Sequence, residues 1–375
     1  MSKPFDTSGR TEGGRWVPQP RAPGMSYISA EMKASIDLSE SRVKHTEDEA
    51  TWDMAASLGL SQQLTTGVVL GELVEQGHDI VVCTADLGRP TQVIGFGRKY
   101  PDRYFNFGIA ERNMIGAAAG LATTGHLAVV SNYSFFLALM GVENIRNDIC
   151  YPGLNVRMIG THSGLAMGFY GTSHHCNEDI GALRAIAGLV LMAPCDGNAI
   201  RAAFSNTITH NGPVYLRAGR GREKPVYDAP PDFRIGGSNT LREGKHATVL
   251  AIGNLVGASL DAAEILKAEG IELGVIDMYS IAPIDKDAIR RAAKAHGVVI
   301  TAEEHNISSG FGSAVAEVMA EEGLNARLVR IGVPDQYSLL GPPTHLYRHY
   351  GLDAEGVATT VRRTLSPSPS GREPG

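Results

Sequence analysis

The chain has 375 residues, 43% of them hydrophobic and 20% charged, with a net charge of −6. That length exceeds what one core usually serves and favours two domains. The charge gives no basic footprint for nucleic acid, and no long apolar run points to a membrane. The opening residues, MSKPFDTSGRTEGGRW, have no apolar signal core, and Cys83, Cys150, Cys176 and Cys195 form no C-x-x-C pair. A reduced cytoplasmic protein is therefore expected.

Residues 1–50 are read as a partly disordered arm: the first 27 are rich in Gly, Pro, Arg and Ser, and 28–50 are charged enough for a helix. Helical spacing runs over 54–76 and stops at Gly77. Strands are expected at 79–84, 104–107, 127–130, 156–160, 189–193 and 214–216, with helices at 135–149, 179–186 and 198–209 between them. This alternation predicts an α/β domain with a mainly parallel sheet over 51–219. Residues 220–245, with Pro225, Pro230 and Pro231, read as a linker. A second, smaller α/β domain follows over 246–365, with strands at 247–252, 272–277, 298–301 and 327–331 and helices at 258–267, 286–295 and 313–322. The tail, 366–375 (SPSPSGREPG), is expected to be disordered. In parallel sheets, sites form beyond the carboxyl ends of strands. Asp86, Glu111, Ser131 to Tyr133, His162 and Arg217 all fall there.

The stretch RYFNFGIAERNMIGAAAGLATTG, residues 103–125, organises this pattern. It reads as a short strand, a turn at Gly108 and a helix of small residues with Glu111 in its first turn. There, backbone N–H groups lack intrahelical partners, and a carboxylate can simply cap the helix dipole. Other residues invite chemistry as well. Tyr133, Phe135 and Phe136 lie at the turn into the next helix, as core aromatics or a stacking surface. Asp86 lies in ADLGRP, where a turn role is equally available. His174 and His175 lie in GTSHH, and His162 follows a strand; histidines move protons near neutral pH. Adjacent histidines with Cys176 suggest metal, but neighbouring side chains seldom aim at one ion, so no metal site is expected here. The fork of Arg217 suits an anionic group, or a salt bridge at a strand end.

The G-I-A-E run resembles the pyrimidine-binding domain of transketolase-type thiamine diphosphate enzymes. The resemblance continues through SNYSFFLALMGVENIRND, MIGTHSGLAMGFYGTSHHCNEDIGALRAI and PVYLRAGR. TAEEHNISSGFGSAVAE resembles the carboxy-terminal domain of the same enzymes, and the whole match spans about 53–364. It implies that Glu111 bonds the aminopyrimidine ring and promotes cofactor activation, in an apolar setting supplied by Phe105, Phe107, Ile109, Met114 and Ile115. It also implies that Phe136, with Tyr133 and Phe135 beside it, stacks the ring, and that Asp86 lies near the thiazolium. His174 would contact the reacting oxygens of the substrate, His162 its phosphate or distal oxygen, and Arg217 an anionic end.

The departures matter as much. Where sugar-phosphate transketolases have an Asp four residues before the substrate histidine, this chain has Tyr170; where they have a phosphate-binding Arg in the first helix, it has Ser57. A bulkier, less charged or unphosphorylated acceptor is expected. No G-D-G metal motif occurs, and Cys195 to Asn198 (CDGN) lies in the wrong domain for one. The resemblance therefore implies half of a split transketolase, which transfers a two-carbon ketol unit. Thiamine diphosphate would be shared with a partner subunit that carries the G-D-G site and holds Mg2+ or another divalent metal, in a two-plus-two heterotetramer. A 2-oxoacid dehydrogenase β subunit and a non-catalytic scaffold are the alternatives. The paired histidines disfavour the first, and an intact Glu111 with GTSHH disfavours the second.

Overall fold

The structure, a computed structural model, describes residues 61–220 and 223–366 together with two short backbone strands nearer the amino terminus. Those strands, β1 (Arg10–Glu12) and β2 (Arg15–Val17), pair antiparallel, so the arm expected to lack order carries a small ribbon. Ser57, the expected helix over 28–50 and the tail beyond 366 lie outside the described residues.

Two sheets follow. The first holds β3 (Ile80–Thr84), β4 (Tyr104–Asn106), β5 (Leu127–Tyr133), β6 (Val156–Thr161), β7 (Val190–Met192) and β8 (Val214–Arg217), all parallel. The second holds β9 (Asn239–Arg242), β10 (Ala247–Ala251), β11 (Leu273–Asp277), β13 (Val298–Asn306) and β14 (Arg327–Val333), and here only β9 runs antiparallel. Every residue of β3, β6, β8, β10 and β11 is buried. That explains why these strands read as unbroken apolar runs: a parallel sheet is covered by helices on both faces.

Three features depart from the sequence reading. Residues 239–242, assigned to the linker, form the edge strand β9, whose ladder with β11 carries a bulge. Helices at Pro343–His349 and Ala354–Leu365 were not anticipated. The third is β12 (Ser280–Ala282). Its chain position puts it between two elements of the second sheet, yet it pairs antiparallel with β7 at the edge of the first, giving the orders β12-β7-β8-β6-β5-β3-β4 and β14-β13-β10-β11-β9. The two units also share a core: Phe233 stacks on Tyr279 with centroids 3.6 Å apart, and the Ala193 N–H donates to the Tyr279 carbonyl at 2.8 Å. They therefore meet through buried apolar surface rather than through a loose tether.

Among the described residues, no helix is long and apolar enough to cross a membrane.

Candidate active site

β5 and β6 lie side by side, and side chains at and beyond their carboxyl ends form the core of the site. Tyr133 ends β5 beside Thr161 at the end of β6. Its ring therefore meets that of the next residue, His162, with centroids 4.2 Å apart. The chain then enters a helix whose first segment, Phe135–Met140, is π-helical. π-turns are rare and occur frequently at functional sites. Phe136 lies nearly parallel to Tyr133, at 6.1 Å and 26°.

The Gly168–Ser173 turn brings in the third wall: His174 stands edge-on to Phe136 at 5.2 Å, and Tyr170 lies 5.0 Å from His174. Tyr133, Phe136, His162, His174 and Tyr170 thus form one cluster. Phe135 packs edge-on against Phe136 but turns toward a neighbouring cavity.

His162 is 3% exposed, and burial, with Arg220 and His174 nearby, holds its imidazole well below the usual range, so the ring is neutral at pH 7. Burial lowers His174 as well, though that ring is only partly enclosed. The backbone of His162 is left-handed, with φ of 58°. Such conformations cost on the order of 1–3 kcal/mol and gather at functional sites. Two contacts fix the ring: Thr161 Oγ1 lies 3.0 Å from Nδ1, and the Gln63 amide lies 3.0 Å from the same atom. Gln63 was missed from the sequence. Nothing in a polar residue on a helix 99 positions away advertises the contact.

Glu111 is the first residue of the Glu111–Thr123 helix, 6% exposed, and its side chain bonds no other described residue. Ala110 before it offers no side-chain cap. Met114, Ile115, Ala118 and Ala119 are core, with Ile115 pressed so closely on Gly141 that a Cβ there would lie 2.1 Å from it. The small-residue helix is thus partly packed inside the chain, while Gly116, Ala117 and Gly120 lie on its more open side. Of the expected apolar setting, Phe105 and Ile109 are exposed, Ile109 at 84%. Asp86 is exposed beyond β3 in a left-handed turn (φ 59°), where its N–H donates to Asn106 Oδ1 at 2.9 Å. It does not join the aromatic cluster.

Arg217 requires a correction. The side chain makes the salt bridge that was the other reading: its Nε bonds Asp179 at 2.9 Å and its Nη2 donates to the carbonyls of Cys176 and Glu304. The cation beside the cluster is Arg220, three residues on, whose Nη1 donates to the Ala166 carbonyl at 3.3 Å and whose charge acts on His162 and Tyr133. The second arginine of R-A-G-R was the available signal.

His175 turns away from His174, its Nε2 2.9 Å from the Gly168 carbonyl, and Cys176 is buried behind it. Asp196 of CDGN caps the Gly197–Thr207 helix and accepts the N–H groups of Val226 and Tyr227. Among the described residues, no three His, Cys, Asp or Glu side chains are grouped as a metal site requires.

The site thus joins a helix-start carboxylate, an aromatic platform at the end of β5, and two histidines, one after β6 and one after the Gly168–Ser173 turn, on mainly parallel α/β domains. Residues 61–224 match the transketolase pyrimidine-binding domain and residues 236–357 the transketolase C-terminal domain. The chain is 40% identical over 301 residues to a putative transketolase C-terminal section from Methanocaldococcus jannaschii, covering 80% of this chain and 94% of that protein. It is 35% identical over 291 residues to an apulose-4-phosphate transketolase subunit of Phocaeicola vulgatus, covering 77% and 93%. Among solved structures it resembles a split-gene transketolase, an inactive beta4 tetramer, with a TM-score of 0.73, 39% identity and coverage of 81% and 98%. The chain belongs to the transketolase family.

Proposed function

We propose that this chain is the pyrimidine-binding half of a split, thiamine diphosphate-dependent transketolase, with 51–219 and 246–365 as its two domains. The observation that carries the reading is Glu111: a nearly buried carboxyl group at a helix start, with no partner among the described residues. Its oxygens make no bond within the described chain and are therefore available to a ligand. An aminopyrimidine nitrogen fits that vacancy in chemistry, and the parallel rings of Tyr133 and Phe136 suit a flat heterocycle. The residues present therefore fit the cofactor.

When bound, thiamine diphosphate supplies a carbon nucleophile for two-carbon transfer between a ketose and an aldehyde. The chain's own residues do the rest. Glu111 holds a proton at its carboxyl toward the ring nitrogen. Phe136 and Tyr133 orient the ring and exclude water. His174, neutral near pH 7, exchanges a proton or hydrogen bond with the substrate oxygens. His162, held neutral by burial, bonds a distal oxygen without contributing charge. Tyr170, 60% exposed beside His174, narrows the acceptor side where an acid would read a hydroxyl, which favours a non-standard acceptor.

The diphosphate and a divalent metal such as Mg2+ are assigned to a partner chain that carries a G-D-G motif. Support comes from the absence of that motif here, from relatives whose names call them a transketolase subunit or a C-terminal section, and from a similar structure that is inactive as a tetramer of β chains. A two-plus-two assembly satisfies both halves. The test is calorimetry with thiamine diphosphate and magnesium on the purified chain, then transfer assays with the co-purifying partner, using a ketose or a 2-oxoacid as donor. Weak binding and no turnover alone, with ketose transfer in the complex, is the expected result. Micromolar binding with turnover and no partner, or decarboxylation of the 2-oxoacid instead, overturns the proposal.

A further inference from the structure

We infer that Glu304 of the second domain is a positioning residue for the 162–176 loop, anchoring the neck that holds His162 and His174 at a fixed spacing. Its part in turnover rests on the transketolase reading; the anchoring does not.

The loop closes on itself. Gly164 and Cys176 exchange backbone hydrogen bonds, N–H to carbonyl in both directions, at 2.9 Å. His162 stands two residues before one side of this neck and His174 two residues before the other. Wherever the neck sits, both rings go with it. The chain from 161 to 168 is buried, whereas Phe169 and Tyr170 at the tip are 50% and 60% exposed. The tip has little packing of its own, so the neck carries the loop's order.

Successive side chains of a strand point to opposite faces, and on β13 this splits two adjacent acids. Glu303 accepts the N–H groups of Phe311 and Gly312 at 2.6 and 2.8 Å, and so caps a helix of its own domain. Glu304 reaches the first domain instead: its Oε1 accepts the Leu165 N–H at 2.6 Å, one residue past the neck. The same oxygen accepts the Tyr347 hydroxyl at 2.7 Å, and Oε2 accepts Asn254 Nδ2 at 2.9 Å. Tyr347 belongs to the Pro343–His349 helix and Asn254 opens the Asn254–Lys267 helix. Two further elements therefore hold the carboxylate where the loop needs it, through bonds that an ionised acceptor makes about twice as strong as neutral ones.

The contact leaves no slack. Gly164 is left-handed, with φ of 62°, and a Cβ there would lie 2.3 Å from Glu304 Cδ. At Gly168 a Cβ would lie 2.8 Å from Pro343 Cδ, so the helix that carries Tyr347 also presses on the loop. Among the described residues, the Glu304 carboxylate bonds no member of the aromatic cluster. It acts through the loop, and a misplacement of about 1 Å at a reacting group can cost about 10²-fold in rate.

The test uses the full chain, alone for amide hydrogen exchange and in the complex with its partner for kinetics. Glu304→Leu keeps bulk and removes the acceptors; Tyr347→Phe removes one of the three donors and keeps the shape. Exchange over 163–176 should rise about tenfold in Glu304→Leu and about threefold in Tyr347→Phe, with exchange in β10 and β11 unchanged. In the complex, kcat/KM for the ketose and the aldehyde should fall by about 10–10²-fold in Glu304→Leu while the Kd of thiamine diphosphate stays the same. In a His174→Ala background the same substitution should cost clearly less, because its effect passes through that ring. If Glu304→Leu does not fold, Tyr347→Phe decides by the same readouts. Unchanged exchange over 163–176, a cofactor Kd that rises as far as kcat/KM falls, or an equal cost with and without the His174 ring overturns the positioning role. Raised loop exchange with no ketose transfer by the wild-type complex would remove the transketolase reading and leave the anchor standing; wild-type transfer with unchanged loop exchange in both variants would do the reverse.

Discussion

Arg217 and Asp179 form a buried ion pair: Nε lies 2.9 Å from Oδ2, and the two side chains are 4% and 0% exposed. Tyr215 donates its hydroxyl to the same carboxylate at 3.2 Å, and Arg217 Nη2 donates to the carbonyls of Cys176 and Glu304. The pair ties β8, the Asp179–Leu183 helix and β13 of the second domain into one block. Nε and Nη2 of the guanidinium are thus engaged within the chain.

Breaking this pair should be a stability defect and not a specificity defect. Arg217→Ala leaves Asp179 buried and uncompensated, which typically costs about 3–5 kcal/mol. The double variant Arg217→Met/Asp179→Leu should recover much of that loss. Denaturant melts of the three proteins check it; an Arg217→Ala protein of wild-type stability with an altered acceptor preference would restore the ligand role.

Glu111→Gln should keep the melting temperature and lower turnover of the reconstituted complex by about 10²–10⁴-fold, the range for a positioned acid or base. The amide fills the same space but cannot hold the proton in the same way. Steady-state rates with a ketose donor decide it, and near-normal turnover removes Glu111 from catalysis.

Tyr170→Asp should shift acceptor choice. The ring lies 5.0 Å from His174 and is largely exposed, so the change restores an acid without disturbing the core. The ratio of kcat/KM for 2-hydroxy aldose phosphates over other aldehydes should rise. An unchanged ratio means that Tyr170 does not select the acceptor.

Asp277 should give stability a pH slope. It is buried at the end of β11, accepts the Tyr227 hydroxyl at 2.8 Å, and has a second oxygen with no partner. Burial pushes its carboxyl up to about 7. Its unfolded value is near the ordinary 3.9, so between about pH 4 and 7 the folded state holds the extra proton. Its contribution is therefore full below about pH 4 and lost as pH rises through about 7. Glu303, also buried and raised to about 7, adds a slope of the same sign. Asp277→Asn should gain on the wild type by roughly 2 kcal/mol between pH 5 and 8. A constant difference in melts across that range would show that Asp277 titrates normally.

Much of this was legible because it is local. The runs that became β3, β6, β8, β10 and β11 could be read as buried parallel strands from apolar composition alone. Glu111, Phe136 and His174 could be proposed because each lies in a short contiguous motif, and Tyr133 and His162 because they lie at strand ends. β12 was not legible: three residues, Ser280–Ala282, are too few to show a period, and nothing local says that they cross to the other sheet. Arg217 was misread for a related reason. A strand-end arginine can face a cleft or an acid elsewhere in the chain, and Asp179 is 38 positions away.

The sequence by itself determined the α/β class, the order of two domains, the candidate acid, platform and histidines, and the lack of a G-D-G motif, since each depends on residues within one turn or strand. Only the tertiary structure decided which arginine stands by the site, that Gln63 and Thr161 hold His162, and that Asp86 stays outside the aromatic cluster. Those outcomes depend on which distant partner satisfies each buried polar group. That choice is made by packing across the sheets, where the cost of an unpaired donor, acceptor or charge is set by burial and not by neighbours in the chain.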